Sequence, residues 1–316
     1  MSLIAQTVNK RFAVVVVHFG DVADTMPLLL SLEQDRSVPK IYVVDNGPDQ
    51  LGNDWSKLQR SVPIESPNND GYGGGANRGI RRALADGYHS VVVIATDAVV
   101  APGVLAQLVR RGIAAGATVA GPRIVYEDGR TIWADGIAFS DRWAVSKNQN
   151  KGKAVESNPA PSQTNMLTGH VLALFDVGDR PWLRFDDRFF MYYEDVDLCR
   201  RVADRGERVW LDPETTVRHR KPGGVKYRFG AVQQFNMSRS AVLYHRRYSA
   251  GFGRVTAGVG LVALTVYRMT RSRNAAASRA AVAGLIDGLR ASRVEMPEVS
   301  VPADNEPGDR LHVSAK

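Results

Sequence analysis

The chain has 316 residues, 44% of them hydrophobic and 23% charged, with a formal net charge of +8 at neutral pH. These are the fractions of a folded soluble protein, long enough for one large α/β domain with an appendage or for two modest domains. The single cysteine, Cys199, excludes an internal disulfide, and Met1 to Lys10 is too polar for a signal-peptide core, so a reducing, cytoplasmic location is expected.

In chain order, Phe12–Val17 is a continuous, largely β-branched run, the pattern of a strand buried on both faces of a parallel sheet. A helix is expected over Met26–Leu32, and a second buried strand over Ile41–Val44, ended by the breaker Asp45-Asn46-Gly47-Pro48. A weaker strand, Val62–Glu65, leads into a glycine-rich loop over Asn69–Gly75 and a helix through Ala83. The strand Ser90–Ile94 follows. Strands alternating with helices predict an α/β fold with a mostly parallel central sheet and ligands at the strands' carboxyl ends.

From about residue 129 to 163 the pattern changes to polar residues, glycines and isolated tryptophans, with 147–162 read as a mobile loop of the kind that covers active sites. A strand is expected at His170–Phe175, a helix at Val196–Arg205 and a short last strand at Arg208–Leu211. Beyond Gly230 the chain reads as helices, and after about Glu295 as a disordered tail. Between Arg218 and Arg279 there is no acidic residue, which favours an anionic partner. The apolar run Val255–Tyr267 is too short for a confident membrane span. It reads equally as a core helix or as a segment lying in an anionic membrane interface. No RNA-binding or zinc-finger signature is present, so nucleic acid is not an expected partner.

The most informative segment is Phe189-Phe190-Met191-Tyr192-Tyr193-Glu194-Asp195-Val196-Asp197-Leu198. Carboxylates beside apolar residues serve as base, metal ligand or helix cap, because buried charge is costly unless paired. Four other clusters follow strands. Asp45-Asn46 suits a ribose or base, or simply a turn. The stretch Asn69–Gly79 fits neither a P-loop nor a dinucleotide fingerprint, and its glycines allow a close backbone approach. Asp97, after Thr96, can bind a hard divalent cation or cap a turn. In the segment after the last strand, His219 can coordinate a metal, while Arg220, Lys221, Lys226 and Arg228 can neutralise a diphosphate or form a solvated basic loop.

In their order, Val43-Val44-Asp45-Asn46, Asn69-x-Gly71-Tyr72-x4-Asn77-x-Gly79, Asp97, Phe190–Leu198 and His219 resemble the family 2 glycosyltransferases, most closely the rhamnosyltransferase-type branch. The resemblance covers roughly residues 12–224. It implies a GT-A fold and inverting transfer from a nucleoside-diphosphate sugar, with Asp195 as catalytic base and Glu194 beside it. It implies donor contacts from His18, Asp45, Asn46, Asn69, Gly71, Tyr72, Asn77, Thr96 and Lys221, and a divalent cation (Mg2+ or Mn2+) at Asp97 and His219. Tyr192, Tyr193 and Trp182 are candidates for stacking on a sugar or for core packing. Asp197 is expected only to hold the helix start.

One departure is Ala95, where relatives usually carry Asp or Asn, which makes metal dependence less certain. Ser240 is another, at a frequent Asn position. The implied domains are a GT-A catalytic domain over 1–230 (donor half to about 125, acceptor half 126–230), a helical segment over 231–294 and a tail over 295–316. The expected activity is transfer of a hexose, rhamnose from dTDP-rhamnose first, to a glycan or glycolipid for a cell-surface polysaccharide, with peripheral membrane contact. The alternatives are a UDP-galactofuranose, UDP-glucose or UDP-N-acetylglucosamine donor, or an inactive binding scaffold, which Ala95 alone favours. A nucleotidylyltransferase would need an early glycine-rich loop with a basic residue, and the first strand instead runs into His18-Phe19-Gly20-Asp21.

Overall fold

The computed structural model describes residues 12–47, 56, 58–140, 145–155, 166–220, 230–272 and 275–291. Lys221 and the expected tail lie outside them. The first half holds β1 (Phe12–His18), α1 (Val22–Gln34), β2 (Ile41–Asp45), β3 (Ser61–Glu65), α2 (Gly71–Ala85) and β4 (Ser90–Ile94). It continues through β5 (Ala98–Val99) and α3 (Val104–Ala114). The second half holds β6 (Val119–Tyr126), β7 (Ile132–Ala134), β8 (Ile137–Ser140), β9 (Val145–Asn148), β10 (Val171–Leu174), α4 (Glu194–Ala203) and β11 (Val209–His219). Helices α5 (Ala231–Tyr248), α6 (Gly251–Ser272) and α7 (Ala275–Arg290) follow.

The strand order is β3-β2-β1-β4-β10-β6-β11-β5, with β7 beside β6. Strands β3, β2, β1 and β4 run parallel, whereas β10 is antiparallel to both its neighbours, so the second half of the sheet is mixed. Side-chain alternation along β1 explains its unbroken apolar run. Phe12, Val14 and Val16 face one core with Leu28, Leu29 and Leu32 of α1 and Leu105 and Leu108 of α3. Ala13, Val15 and Val17 face the other, with Ile80 and Ala83 of α2 and Leu198 and Val202 of α4. Tyr244 of α5 belongs to that second core, so α5 packs into the sheet domain.

The segment read as a glycine loop is mostly helix, since α2 begins at Gly71. A Cβ on Gly75 would lie 2.8 Å from Val17, and one on Gly79 2.3 Å from Val15, so these glycines let the helix settle on β1. Gly71 has φ +75°, and a Cβ there would lie 2.0 Å from the Phe190 carbonyl oxygen. Part of the stretch over 129–163, including the first residues of the loop expected at 147–162, is ordered: β7 joins the main sheet, β8 and β9 form a hairpin, and Thr131 bridges Ala154. The hairpin is anchored by Phe139, edge-on to Tyr193 and Tyr244. Strand β11 outruns the expected Arg208–Leu211 because a register shift between Asp212 and Thr216 is absorbed locally. There the Asp212 carboxylate accepts bonds from the Glu214 amide, the Thr215 hydroxyl and Arg111.

Candidate active site

The carboxyl end of β4 meets the amino end of β10, where the antiparallel register Ile94↔Val171 continues into a bond from the Ala95 amide to the His170 carbonyl. Three residues on, β5 pairs with the end of β11, setting Ala98 opposite His219. The topology therefore collects Asp97, His170 and His219 from three separate stretches of chain. His170 Nδ1 lies 3.2 Å from Asp97 Oδ1, and His219 Nε2 lies 3.1 Å from Asp97 Oδ2. One ligating atom from each residue falls within 4.8 Å of the others. Burial disfavours the Asp97 anion, but the hydrogen bonds from His170 and His219 outweigh it and hold the carboxyl below the usual range. Trp133 stacks on His219 with ring centroids 4.7 Å apart and planes 5° from parallel, fixing that imidazole.

Next to this cluster, the Gly169 amide donates to Asp195 Oδ2 at 2.7 Å, and the Val196 amide to Oδ1 at 2.8 Å. Glu194 and Asp195 open α4, where free amides and the helix dipole favour an anion. Burial nevertheless dominates. It raises the carboxyl of Asp195 above the ordinary range, against the backbone bonds that oppose the shift. Glu194 is raised further by burial and by the Asp195 charge, and its Oε2 is buried with no hydrogen-bond partner among the described residues. Tyr192 and Tyr193, just before the pair, both have positive φ (68° and 70°), a conformation that bulky residues adopt only under constraint.

Tyr72 ties these parts together. Its amide donates to the Phe190 carbonyl and its hydroxyl to the Gly169 carbonyl, both at 2.9 Å. Burial, and then the charges of Glu194, Asp195 and Asp97, push its phenol well above the normal value. It stays neutral and serves as a hydrogen-bond donor.

The remaining expected donor contacts sit differently. Asp45 ends β2, partly exposed, in register with His18. His18 is fully buried, its Nδ1 2.7 Å from the Thr25 hydroxyl. Asn46 is a clip: it donates to Asn69 and the Gly71 carbonyl, and accepts from Ser66 and the Asp70 amide. Asn69 is engaged by Asn46 and the Gly71 amide. Asn77 is buried and bonds both backbone groups of Phe185 as well as Asp187. Thr96 is partly exposed beside Asp97. Trp182 is covered by the Arg205 guanidinium, and Tyr193 is buried against Phe139 and Tyr244.

Two residues escaped the sequence reading. His170 reads as the first residue of an apolar strand, and only the cross-strand register reveals its neighbours. Phe19, 54% exposed after the carboxyl end of β1, is an aromatic surface whose backbone lies against Gly47. Its signal was an aromatic residue directly after a buried parallel strand.

The profile of Glycosyl transferase family 2 matches residues 14–175, half of the chain. The chain belongs to that family. Among curated relatives, the low-salt glycan biosynthesis hexosyltransferase Agl10 of Haloferax volcanii is 23% identical over 204 residues, spanning 63% of this chain and 64% of that protein. Among solved structures, the mannosyltransferase PcManGT from Pyrobaculum calidifontis, in complex with GDP-Man and Mn2+, superposes with a TM-score of 0.53. It is 12% identical, over 89% of this chain and 87% of its own. GalNAc-T7 with UDP, GalNAc and Mn2+ gives 0.53 at 14% identity, over 75% and 50%. TarS 1-349 of S. aureus with UDP-GlcNAc gives 0.51 at 12%, over 89% and 81%. The family 2 chain thus has the GT-A fold, with its helical C-terminal part added.

Proposed function

We propose that this family 2 chain transfers a hexose, with inversion, from a nucleoside-diphosphate donor to a hydroxyl of a glycan or glycolipid acceptor. The observation that carries the reading is that the amide holding Asp195 belongs to Gly169, next in sequence to His170 of the Asp97–His170–His219 cluster. A carboxylate base on α4 is thus bonded to the loop that brings His170 to the cation-binding group. The base takes the acceptor proton as the nucleoside diphosphate leaves, and the site's cations stabilise the growing diphosphate charge. A divalent ion at Asp97, His170 and His219 would supply Lewis-acid stabilisation of that leaving group.

Exposed Phe19 and partly exposed Asp45 suit the nucleoside, the former by stacking and the latter by accepting hydrogen bonds. Because Asn46, Asn69 and Asn77 spend their side chains on protein partners, they act on the donor indirectly, by setting the loops around it. Lys221 is proposed to face the diphosphate. The catalytic unit is taken as 1–230 with 231–294 as its helical extension, α5 being the shared wall. The donor proposed first is dTDP-rhamnose, with UDP-sugars as the alternative. The exposed face of α6, in a basic stretch, supports contact with an anionic membrane on the cytoplasmic side.

The test is donor hydrolysis and transfer by the full chain against a panel of nucleotide sugars, with the product anomer read by NMR. Asp195→Asn is expected to lower turnover by about 10²–10⁴-fold with donor affinity retained. Unchanged turnover in Asp195→Asn, or retention of anomeric configuration, overturns the reading. Nucleotide binding without turnover in the wild type would support the scaffold instead.

A further inference from the structure

We propose that His170 completes, with Asp97 and His219, a two-histidine, one-aspartate centre that selects a first-row transition cation over Mg2+. The inference deepens the proposed function and rests on its reading that Asp97 holds a divalent cation. Ala95, two residues before Asp97, offers no ligand atom from its side chain. The residue paired across the sheet from Ala95 is His170: Ala95 donates to its carbonyl at 2.9 Å, and the register Ile94↔Val171 runs into that pair. Ala95, just past the end of β4, and His170, just before β10, are therefore cross-strand neighbours, which brings the imidazole to Asp97.

The state of the imidazole supports the assignment. His170 is 6% exposed, Nδ1 faces Asp97, and Nε2 is buried with no hydrogen-bond partner among the described residues. A histidine kept for core structure satisfies both ring nitrogens, and a buried one that does not calls for a catalytic or ion-binding explanation. His219, held parallel to Trp133, presents Nε2 to the other oxygen of the same carboxylate. Two imidazoles approach one carboxylate, each at its own oxygen.

The donor set then decides the metal. An all-oxygen site suits Mg2+, which keeps its waters and binds through carboxylates and phosphates. Imidazole nitrogen suits Fe2+, Co2+, Ni2+ and Zn2+, and two nitrogens with one carboxylate make the open-sided set used by such ions. The centre is expected to bind Co2+ and Mn2+ before any nucleotide is present, and Mg2+ much more weakly.

The experiment is calorimetric titration of the full, nucleotide-free chain with CoCl2, MnCl2 and MgCl2, repeated for His170→Asn and His219→Asn. Melting curves verify that the variants fold. Expected are Co2+ and Mn2+ affinities at least about 10-fold above that for Mg2+, each lowered more than about 10-fold in His170→Asn. Equal affinity for Mg2+, or His170→Asn binding like wild type, overturns the inference while donor turnover leaves the proposed function standing. No binding of any divalent ion by the wild type overturns the metal centre itself, and donor hydrolysis in the presence of a chelator then tests the transferase reading separately. If His170→Asn fails to fold, pulsed EPR of Mn2+ on the wild type decides. Two coupled imidazole nitrogens uphold the inference, and one defeats it.

Discussion

At the scale of single residues, two adjacent carboxyls hold more than their share of the chemistry. Burial raises both Glu194 and Asp195 above the ordinary range, so each keeps its proton to higher pH in the folded chain than in the unfolded one. The pair titrates as a unit, and a base must be ionised to work. Turnover is therefore expected to fall as pH drops through a value above the usual carboxylate range. Glu194, raised further, still holds its proton when Asp195 ionises, so Glu194→Gln should leave that acid limb nearly in place, measured as kcat/KM against pH. The sign for stability is opposite to that of a salt-bridged acid. The cost of the ionised pair is absent below the unfolded values of about pH 4, grows as pH rises, and is complete above the folded values. Glu194→Gln should accordingly raise Tm at pH 8 and leave it nearly unchanged at about pH 4. A Tm difference independent of pH would show that Glu194 is not held in this way.

At the scale of elements, α4 is tethered to α5 through one buried carboxylate. Asp197 accepts from Arg201 on its own helix and from Tyr248 and Arg247 of α5, at 2.7, 2.6 and 3.2 Å. Asp197 thus does more than hold the helix start. It joins the helix bearing Glu194 and Asp195 to the first helix of the C-terminal part. Tyr248→Phe leaves that buried acceptor one bond short and is expected to cost about 1–3 kcal/mol in denaturant unfolding. If stability is unchanged, the tether is not structural.

This network also shows where the sequence stopped being legible. Strands β1, β2 and β4 announce themselves because burial on both faces demands unbroken apolar runs, a local property. Asp45, Asp97, Glu194, Asp195 and His219 stand out as candidates because acids and histidines beside apolar runs are conspicuous in one dimension. His170 was missed because its meaning lies in an antiparallel register with β4, and Asp197 was undervalued because its partners are about fifty residues away. The glycines of α2 were taken for a ligand loop because glycine permits close approach without saying to what, and here it is β1 and Phe190. The hairpin β8–β9 was hidden because its anchor, Phe139, finds Tyr193 and Tyr244 only in the folded chain.

At the scale of the whole molecule, one apolar face has no partner among the described residues. Phe252, Val255, Val259, Val262 and Val266 recur at steps of three and four along α6 and are all more than half exposed. On α7, Val282, Ile286 and Leu289 follow the same spacing and are also exposed. Patches of this kind on a folded chain mark an interaction surface. No helix among the described residues is long and apolar enough to cross a membrane, so a lipid partner would be met from the side. Charge argues for an anionic one. The sequence from 218 to 279 carries no acid, and the first one after it, Asp287, is paired with Arg239 at 2.6 Å. The full chain is expected to cosediment with vesicles containing anionic lipid, more weakly with neutral ones, and less as salt rises. Burying a valine contributes about 1.5–3 kcal/mol, so the double variant Val255→Glu/Val259→Glu should weaken partition by about 100-fold or more. Donor hydrolysis in solution should be unaffected, because neither valine touches the site. Equal binding to neutral and anionic vesicles would remove the electrostatic part of the proposal. A wild-type dimer that the double variant splits, with no vesicle binding by either protein, would assign the face to a second copy of the chain.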